Sequence, residues 1–127
     1  MTVHNRHSEK VKIKRVDLAL TRLGLGTAPL GGLFTSVRDV DSDEMIATAF
    51  DEGIGYFDTA PLYGHGRAEI RLGRALRTAD KPYVLSTKVG RVLNTGKDVD
   101  LSWFADADPN LEPVYDYSGD GIKRSID

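Results

Sequence analysis

The chain has 127 residues, 40% of them hydrophobic and 28% charged, with a formal net charge of -2. That composition suits one globular core and is too short for two comfortable domains. The near-neutral balance argues against a nucleic-acid partner, no apolar run approaches the roughly 20 residues of a membrane span, and the absence of cysteine excludes disulfides and thiolate zinc sites.

Residues 1–10, MTVHNRHSEK, read as a flexible polar tail and 11–127 as the folded unit. The tail lacks the apolar stretch of a signal peptide, so the default location is cytoplasmic. His4 and His7 lie in it with nothing nearby to fix a metal, and no metal site is expected. Val11-Lys-Ile-Lys-Arg15 alternates apolar and basic residues and predicts a strand with one face exposed. Its basic residues, with Lys10, read as a solvated face. Arg22 to Gly26 predicts a short strand that runs into a loop punctuated by Gly and Pro, Thr27 to Gly32. Asp41-Ser-Asp-Glu44 has the form of a capping box, with Val40 as part of a hydrophobic staple. The helix after it presents Met45, Ile46, Ala49 and Phe50 on one face, and Gly53 is placed to end it.

Ile54 to Asp58 is a short apolar strand that ends on a carboxylate. A loop over Thr59 to Gly66 leads to a second helix, about Arg67 to Arg77, carrying Ile70, Leu72, Ala75 and Leu76. Tyr83 to Thr87 is the next strand, and Lys88 stands at its C-terminal end. From Gly90 to about Gly119 the chain is polar and irregular, and loops of that length tend to be functional or mobile. A further helix opens at Gly121. Strands alternating with helices predict right-handed crossovers and a parallel sheet. In such proteins the chemistry gathers at the C-terminal ends of the strands, where Asp58 and Lys88 both lie.

Asp58, Tyr63 and Lys88 form a chemically sensible set. Neighbouring strands lie about 4.8 Å apart, so the three side chains can converge. An ammonium beside a phenol favours the phenolate, which makes the hydroxyl a better proton donor to a carbonyl oxygen. A carboxylate keeps the lysine charged and oriented. The trio suits proton transfer at an oxygen while a hydride moves at the adjacent carbon, and the hydride requires a cofactor. Each residue also has a plain reading, as a turn-forming Asp, a packed loop Tyr and an exposed Lys, and spacing alone does not choose between them. Gly24 to Gly31 does not match G-x-G-x-x-G opening a helix, there is no phosphate-binding G-x-x-x-x-G-K-[ST], and Ser86 lacks an elbow motif and reads as structural.

The motifs Arg22-Leu-Gly-Leu-Gly-Thr-Ala-Pro-Leu-Gly-Gly32, Gly53-Ile-Gly-Tyr-Phe-Asp-Thr-Ala-Pro-Leu-Tyr-Gly64, Leu72-Gly73 and Ser86-Thr-Lys-Val-Gly90 resemble the aldo-keto reductases. Their wording is most similar to the bacterial branch of aldose 1-dehydrogenases and pyridoxal 4-dehydrogenases. The resemblance implies a (β/α)8 barrel, here its N-terminal portion with about three βα units. It also implies NAD or NADP at the C-terminal mouth and a catalytic Asp–Tyr–Lys–His tetrad. Three members carry over: Asp58 orients the lysine, Tyr63 is the general acid or base, and Lys88 activates Tyr63. Gly26, Thr27 and Ala28 fall where the family holds the nicotinamide and its ribose, with Asp58 beside them. His65 and Trp103 either line the substrate pocket or are a surface histidine and a loop-anchoring tryptophan.

The family histidine belongs at the end of the fourth strand, and none of His4, His7 or His65 fits that position. Such a barrel needs roughly 250 residues. The expectation is therefore an incomplete barrel with an unpaired sheet edge, unstable or aggregation-prone and inactive by itself. Its parent would interconvert a carbonyl and an alcohol on a sugar or small aldehyde. The alternative is a non-catalytic remnant or a half-barrel that binds a partner protein. An aldolase or isomerase with Lys88 as a Schiff base leaves Asp58 to Tyr63 unexplained. The exact substrate, the choice of NAD or NADP and the oligomeric state are not encoded in these residues.

Overall fold

The computed structural model describes residues 6–126, so His4 and the first half of the expected tail lie outside the described residues. Of the remaining tail, Arg6–Ser8 form a 3-10 turn. Strands β1 (Lys10–Ile13) and β2 (Leu18–Thr21) pair as an antiparallel hairpin. Then follow β3 (Leu25–Gly26), a 3-10 turn over Ala28–Gly31, and helix α1 (Asp39–Asp51). Strand β4 (Tyr56–Asp58), helix α2 (Arg67–Leu76) and strand β5 (Val84–Ser86) complete the repeating part. A second antiparallel hairpin, β6 (Arg91–Thr95) with β7 (Leu111–Tyr115), precedes the short helix α3 (Gly119–Arg124). None of the described helices is long and apolar enough to cross a membrane.

Strands β3, β4 and β5 form one parallel sheet in that order, with Gly26 opposite Asp58 and Asp58 opposite Ser86. Successive side chains on a strand point to opposite faces. Phe57 therefore enters the core against the helices and is fully buried, while Tyr56 and Asp58 share the other face. The core joins Phe57 to Leu30, Ile46 and Ala49 of the first half and to Ala68, Leu72 and Leu76 of α2. Phe50 packs its ring 5.0 Å from that of Phe57. Burying a Leu, Ile or Phe side chain stabilises by about 1.5–3 kcal/mol, and this cluster fixes the sheet against the two helices. Among the described residues the outer edge of β5 is unpaired, and Leu85 is exposed there.

The expected start of α1 is corrected. The helix begins at Asp39 with Arg38 as its N-cap, so Asp41 lies in the first turn rather than before it. Its carboxylate takes two of the guanidinium nitrogens of Arg38, at 2.7 and 2.5 Å, and so turns back onto the N-cap residue. Asp39 is held from outside by Arg71 and Arg74 of α2, which draws the helix start forward. The helix end is as expected. Gly53 has φ of +78°, its N–H meets the Phe50 carbonyl and that of Ile54 meets Ala49, the two bonds of a Schellman stop.

Other expectations are corrected too. Met45 and Ile70 are exposed, leaving Ile46, Ala49, Leu72 and Leu76 to make the helix contacts. β1 is exposed on both faces, because its hairpin stands off the core. The strand expected over 22–26 shortens to Leu25–Gly26. The segment expected to be irregular from Gly90 to Gly119 contains the β6–β7 hairpin.

Candidate active site

The ends of β4 and β5 bring the expected trio together. Lys88 Nζ donates to Asp58 Oδ2 at 2.7 Å and to the Thr59 carbonyl at 3.0 Å, and it lies 5.0 Å from the centre of the Tyr63 ring. The second carboxylate oxygen of Asp58 accepts from Ser86 Oγ at 2.7 Å. Because that hydroxyl proton is committed to Asp58, the 3.1 Å contact between Tyr56 and Ser86 must run from the Tyr56 hydroxyl to Ser86 Oγ. Ser86 thus orients the Asp58 carboxylate. Its register opposite Asp58 and its orientation on the same sheet face make it a positioning group that no sequence motif announced.

Electrostatics follow from this geometry. Partial burial works against the Asp58 charge, but the hydrogen bonds from Lys88 and Ser86 outweigh it and hold the carboxyl below its ordinary range. Burial also works against the Lys88 ammonium, and there Asp58 and the Tyr63 phenol together hold it above the ordinary lysine range. At neutral pH the pair is a carboxylate and an ammonium, with the ammonium beside the phenol.

The Tyr63 loop is held from two sides. Its ring packs 6.2 Å from Phe104. Its backbone lies against Gly31, where a Cβ would stand 2.5 Å from the Gly64 nitrogen and the Tyr63 carbonyl carbon. Only a glycine permits that approach.

Gly26, Thr27 and Ala28 run directly past Asp58. Thr27 is fully buried, and both its N–H and its hydroxyl donate to the Asp58 carbonyl, at 2.9 and 3.0 Å. Thr27 therefore fixes the backbone of Asp58 from behind. Gly26 is exposed, and a Cβ built on it would meet nothing within 4 Å. Open space at Gly26, opposite Asp58 in the sheet, would leave room for a flat ring such as a nicotinamide at the strand ends. Ala28, half-buried, opens the 3-10 turn that follows.

His65 is not a surface histidine. It is 5% exposed, has φ of +49°, and its Nδ1 finds no partner among the described residues. Trp103 is exposed and rests on Phe34 with ring centres 5.9 Å apart. The two meet across a cavity of about 450 Å³ walled by the β6–β7 hairpin. A neighbouring cavity of about 420 Å³ holds Tyr63 and Lys88, and the two share Leu62, Arg91 and Tyr115 as a common wall. So the structure places His65 and Trp103 in one pocket, next to the trio rather than within it.

A buried ion network that the sequence reading did not foresee holds the segment carrying Trp103. Arg71, 6% exposed, bonds Asp39 and Asp106 at 2.8 Å each and the carbonyls of Leu30 and Val37 at 2.6 Å each. Asp106 also receives Ser36 Oγ at 2.5 Å and the Val37 N–H at 2.9 Å.

Comparison with known proteins bears on the family and the fold. The model of the aldo/keto reductase family matches residues 22–127. The chain is 42% identical over 137 residues to a pyridoxal 4-dehydrogenase of Microbacterium luteolum, covering 98% of this chain and 40% of the relative. It is 38% identical over 117 residues to a D-threo-aldose 1-dehydrogenase of a Pseudomonas species, covering 86% of this chain and 35% of the relative. Among solved structures, the glycerol dehydrogenase of Gluconobacter oxydans superposes with a TM-score of 0.70 at 31% identity, over 94% of this chain and 34% of that one. An aldo-keto reductase of Bacillus halodurans in its holo form gives 0.72 at 27% identity, also over 94% and 34%. The chain spans well under half the length of each of these relatives.

Proposed function

The chain belongs to the aldo/keto reductase family, as the N-terminal portion of its (β/α)8 barrel with no closed barrel among the described residues, and we propose that the complete protein is an NAD(P)-dependent oxidoreductase interconverting a carbonyl and an alcohol on a sugar or a small aldehyde. The observation that carries this reading is the convergence of Asp58, Lys88 and Tyr63 at the ends of adjacent parallel strands. A nicotinamide bound there supplies the hydride in reduction and takes it in oxidation.

The chain's own residues handle the proton. Tyr63 donates its hydroxyl proton to the carbonyl oxygen during reduction and takes the alcohol proton during oxidation. Lys88 stabilises the phenolate left after donation, and Asp58 keeps Lys88 charged and aimed. Ser86 and Thr27 fix Asp58 through its side chain and its backbone. Gly26 leaves room for the ring, with Ala28 following it. The relatives named for pyridoxal and for aldoses support an aldehyde or lactol as the reacting group.

Tyr63→Phe in the complete protein tests the assignment. Proton transfer by a positioned group contributes about 10²–10⁴ in rate, so kcat falls by that order while nicotinamide affinity stays within twofold. Undiminished turnover would remove Tyr63 from the role.

A further inference from the structure

Tyr56 lies on the same face of β4 as Asp58, two positions earlier, and the proton chemistry gives it no part. At about 3.3 Å per residue it sits about 7 Å deeper along the strand. It is half-buried and lines neither of the two cavities at the strand ends. If only its ring mattered, a phenylalanine would serve. The hydroxyl, however, is committed.

Register decides where that hydroxyl goes. Tyr56 stands opposite Val84 and Asp58 opposite Ser86, so the phenol reaches Ser86 on the diagonal between the two pairs. The contact is 3.1 Å long, and Ser86 Oγ stands 2.7 Å from Asp58 Oδ1. An ionised carboxylate only accepts, and a serine hydroxyl has one proton to give. With Tyr56 donating to it, the Ser86 oxygen is held from one side and its proton is directed to the other, onto Asp58. Hydrogen bonds in series polarise one another, so the first strengthens the second. Lys88 Nζ meets the remaining oxygen of Asp58 at 2.7 Å and lies 5.0 Å from the centre of the Tyr63 ring.

The neighbouring strand makes room for the ring that carries this hydroxyl. Gly24 stands just before β3 and lacks the positive φ that reserves a position for glycine, so what it provides is space. A Cβ there would lie 2.5 Å from Tyr56 Cδ1 and 3.1 Å from Cε1. Those atoms belong to a rigid ring and cannot yield as the tip of a flexible chain can. Resting on the oxidoreductase reading above, we propose that Tyr56 is a positioning residue for the proton transfer. Its hydroxyl directs the Ser86 proton onto Asp58, and so fixes the carboxylate that aims Lys88 at Tyr63.

The test is a double-mutant cycle in the complete protein. Tyr56→Phe keeps the ring over Gly24 and removes only the hydroxyl, while Ser86→Ala removes the link through which that hydroxyl acts. Tyr56→Phe alone lowers kcat about fivefold, of the order that one hydrogen bond carries, with KM unchanged within about twofold. The acid limb of its kcat profile moves to higher pH, because Asp58 is held less firmly as a carboxylate. In the Ser86→Ala background, Tyr56→Phe changes neither quantity further. A loss of the same size in both backgrounds would assign Tyr56 to packing and overturn the proposal, as would an unchanged kcat. A second measurement needs no turnover: the Asp58 side-chain carboxyl is titrated by ¹³C NMR. Its midpoint rises in Tyr56→Phe and in Ser86→Ala, and the double variant matches Ser86→Ala. An unmoved midpoint in Tyr56→Phe overturns the proposal whatever the rates. If the midpoints follow this pattern but the wild-type protein turns over no aldose or aldehyde with either nicotinamide, the Tyr56–Ser86–Asp58 chain stands and the oxidoreductase reading falls.

Discussion

Lys88 and Asp58 stand 30 positions apart in the sequence and meet at 2.7 Å across the ends of two parallel strands. Helix α2 lies between them in the chain, so the pair exists only if the crossover closes correctly. Their separation reports on fold and chemistry together.

The pair makes stability depend on pH in a defined direction. Asp58 is held below its ordinary value, about 3.9, so its contribution is present above that pH and is lost as pH falls through its folded-state value. Lys88 is held above its ordinary value, about 10.4, so its contribution is full below that pH and is lost as pH rises through its folded-state value. The melting temperature of wild type should exceed that of Asp58→Asn across a plateau from about pH 5 to 10. The two curves should converge at both ends. Both side chains are partly exposed, so the gap is modest. Parallel curves over the whole range would show that the pair contributes nothing through charge.

Ser86→Ala separates positioning from catalysis. The change removes one hydrogen bond to Asp58 and the support from Tyr56, but leaves Lys88 and Tyr63 in place. In the complete protein kcat should fall about tenfold, as expected for about 1.4 kcal/mol. The pH profile of kcat should also shift, because Asp58 loses one of the two bonds that hold it charged. Ser86→Thr keeps the hydroxyl and should restore the profile. A loss of activity with an unmoved profile would assign Ser86 to packing alone.

The legible parts of this chain were those with local or periodic signals. Asp58 and Lys88 could be placed because strands alternate with helices, and strand ends follow from that order. Gly53 could be placed because a helix stop needs a left-handed residue there. The capping box failed because Arg38, Arg71 and Arg74 compete for the acids of the first turn, and two of those arginines lie on another helix. The β1–β2 hairpin was hidden because Arg15 takes a positive φ where a Gly or Asn would have signalled a turn. Strands β6 and β7 were hidden because Gly96 to Asn110 separates them, far beyond hairpin-turn lengths. Arg71 carried no signal at all, since its partners converge only in the folded chain.

Gly31→Ala should act on Tyr63 without touching it chemically. The added methyl would press on the backbone of Tyr63 and Gly64, which cannot swing aside as a flexible side chain can. The Tyr63 loop must shift, and displacements near 1 Å can cost about 10² in rate. In the complete protein kcat should drop by about that factor while nicotinamide affinity changes little. An equal loss of cofactor affinity would place the damage in the Gly26 to Ala28 segment instead.

The Arg71–Asp106 bridge should govern how firmly the substrate-side segment is held. Arg71 is 6% exposed and joins α1, α2, the segment from Leu30 to Val37 and the loop at Asp106. Replacing one member of a buried ion pair leaves the other charge uncompensated and costs about 3–5 kcal/mol. Arg71→Met should lower the unfolding free energy in urea by that amount. Asp106→Asn should cost less, because its one amide oxygen can still accept from the Val37 N–H and Arg71 while its NH2 donates to the Ser36 hydroxyl oxygen. A double-mutant cycle should return a coupling of about 0.5–3 kcal/mol. Hydrogen exchange would locate the effect. The Ala105 N–H, bonded to the Gly32 carbonyl at 2.8 Å, should exchange faster in Asp106→Asn, while that of Phe57 in the core keeps its protection relative to global unfolding. If both amides accelerate equally, the bridge contributes to the whole core and not to the Trp103 segment in particular.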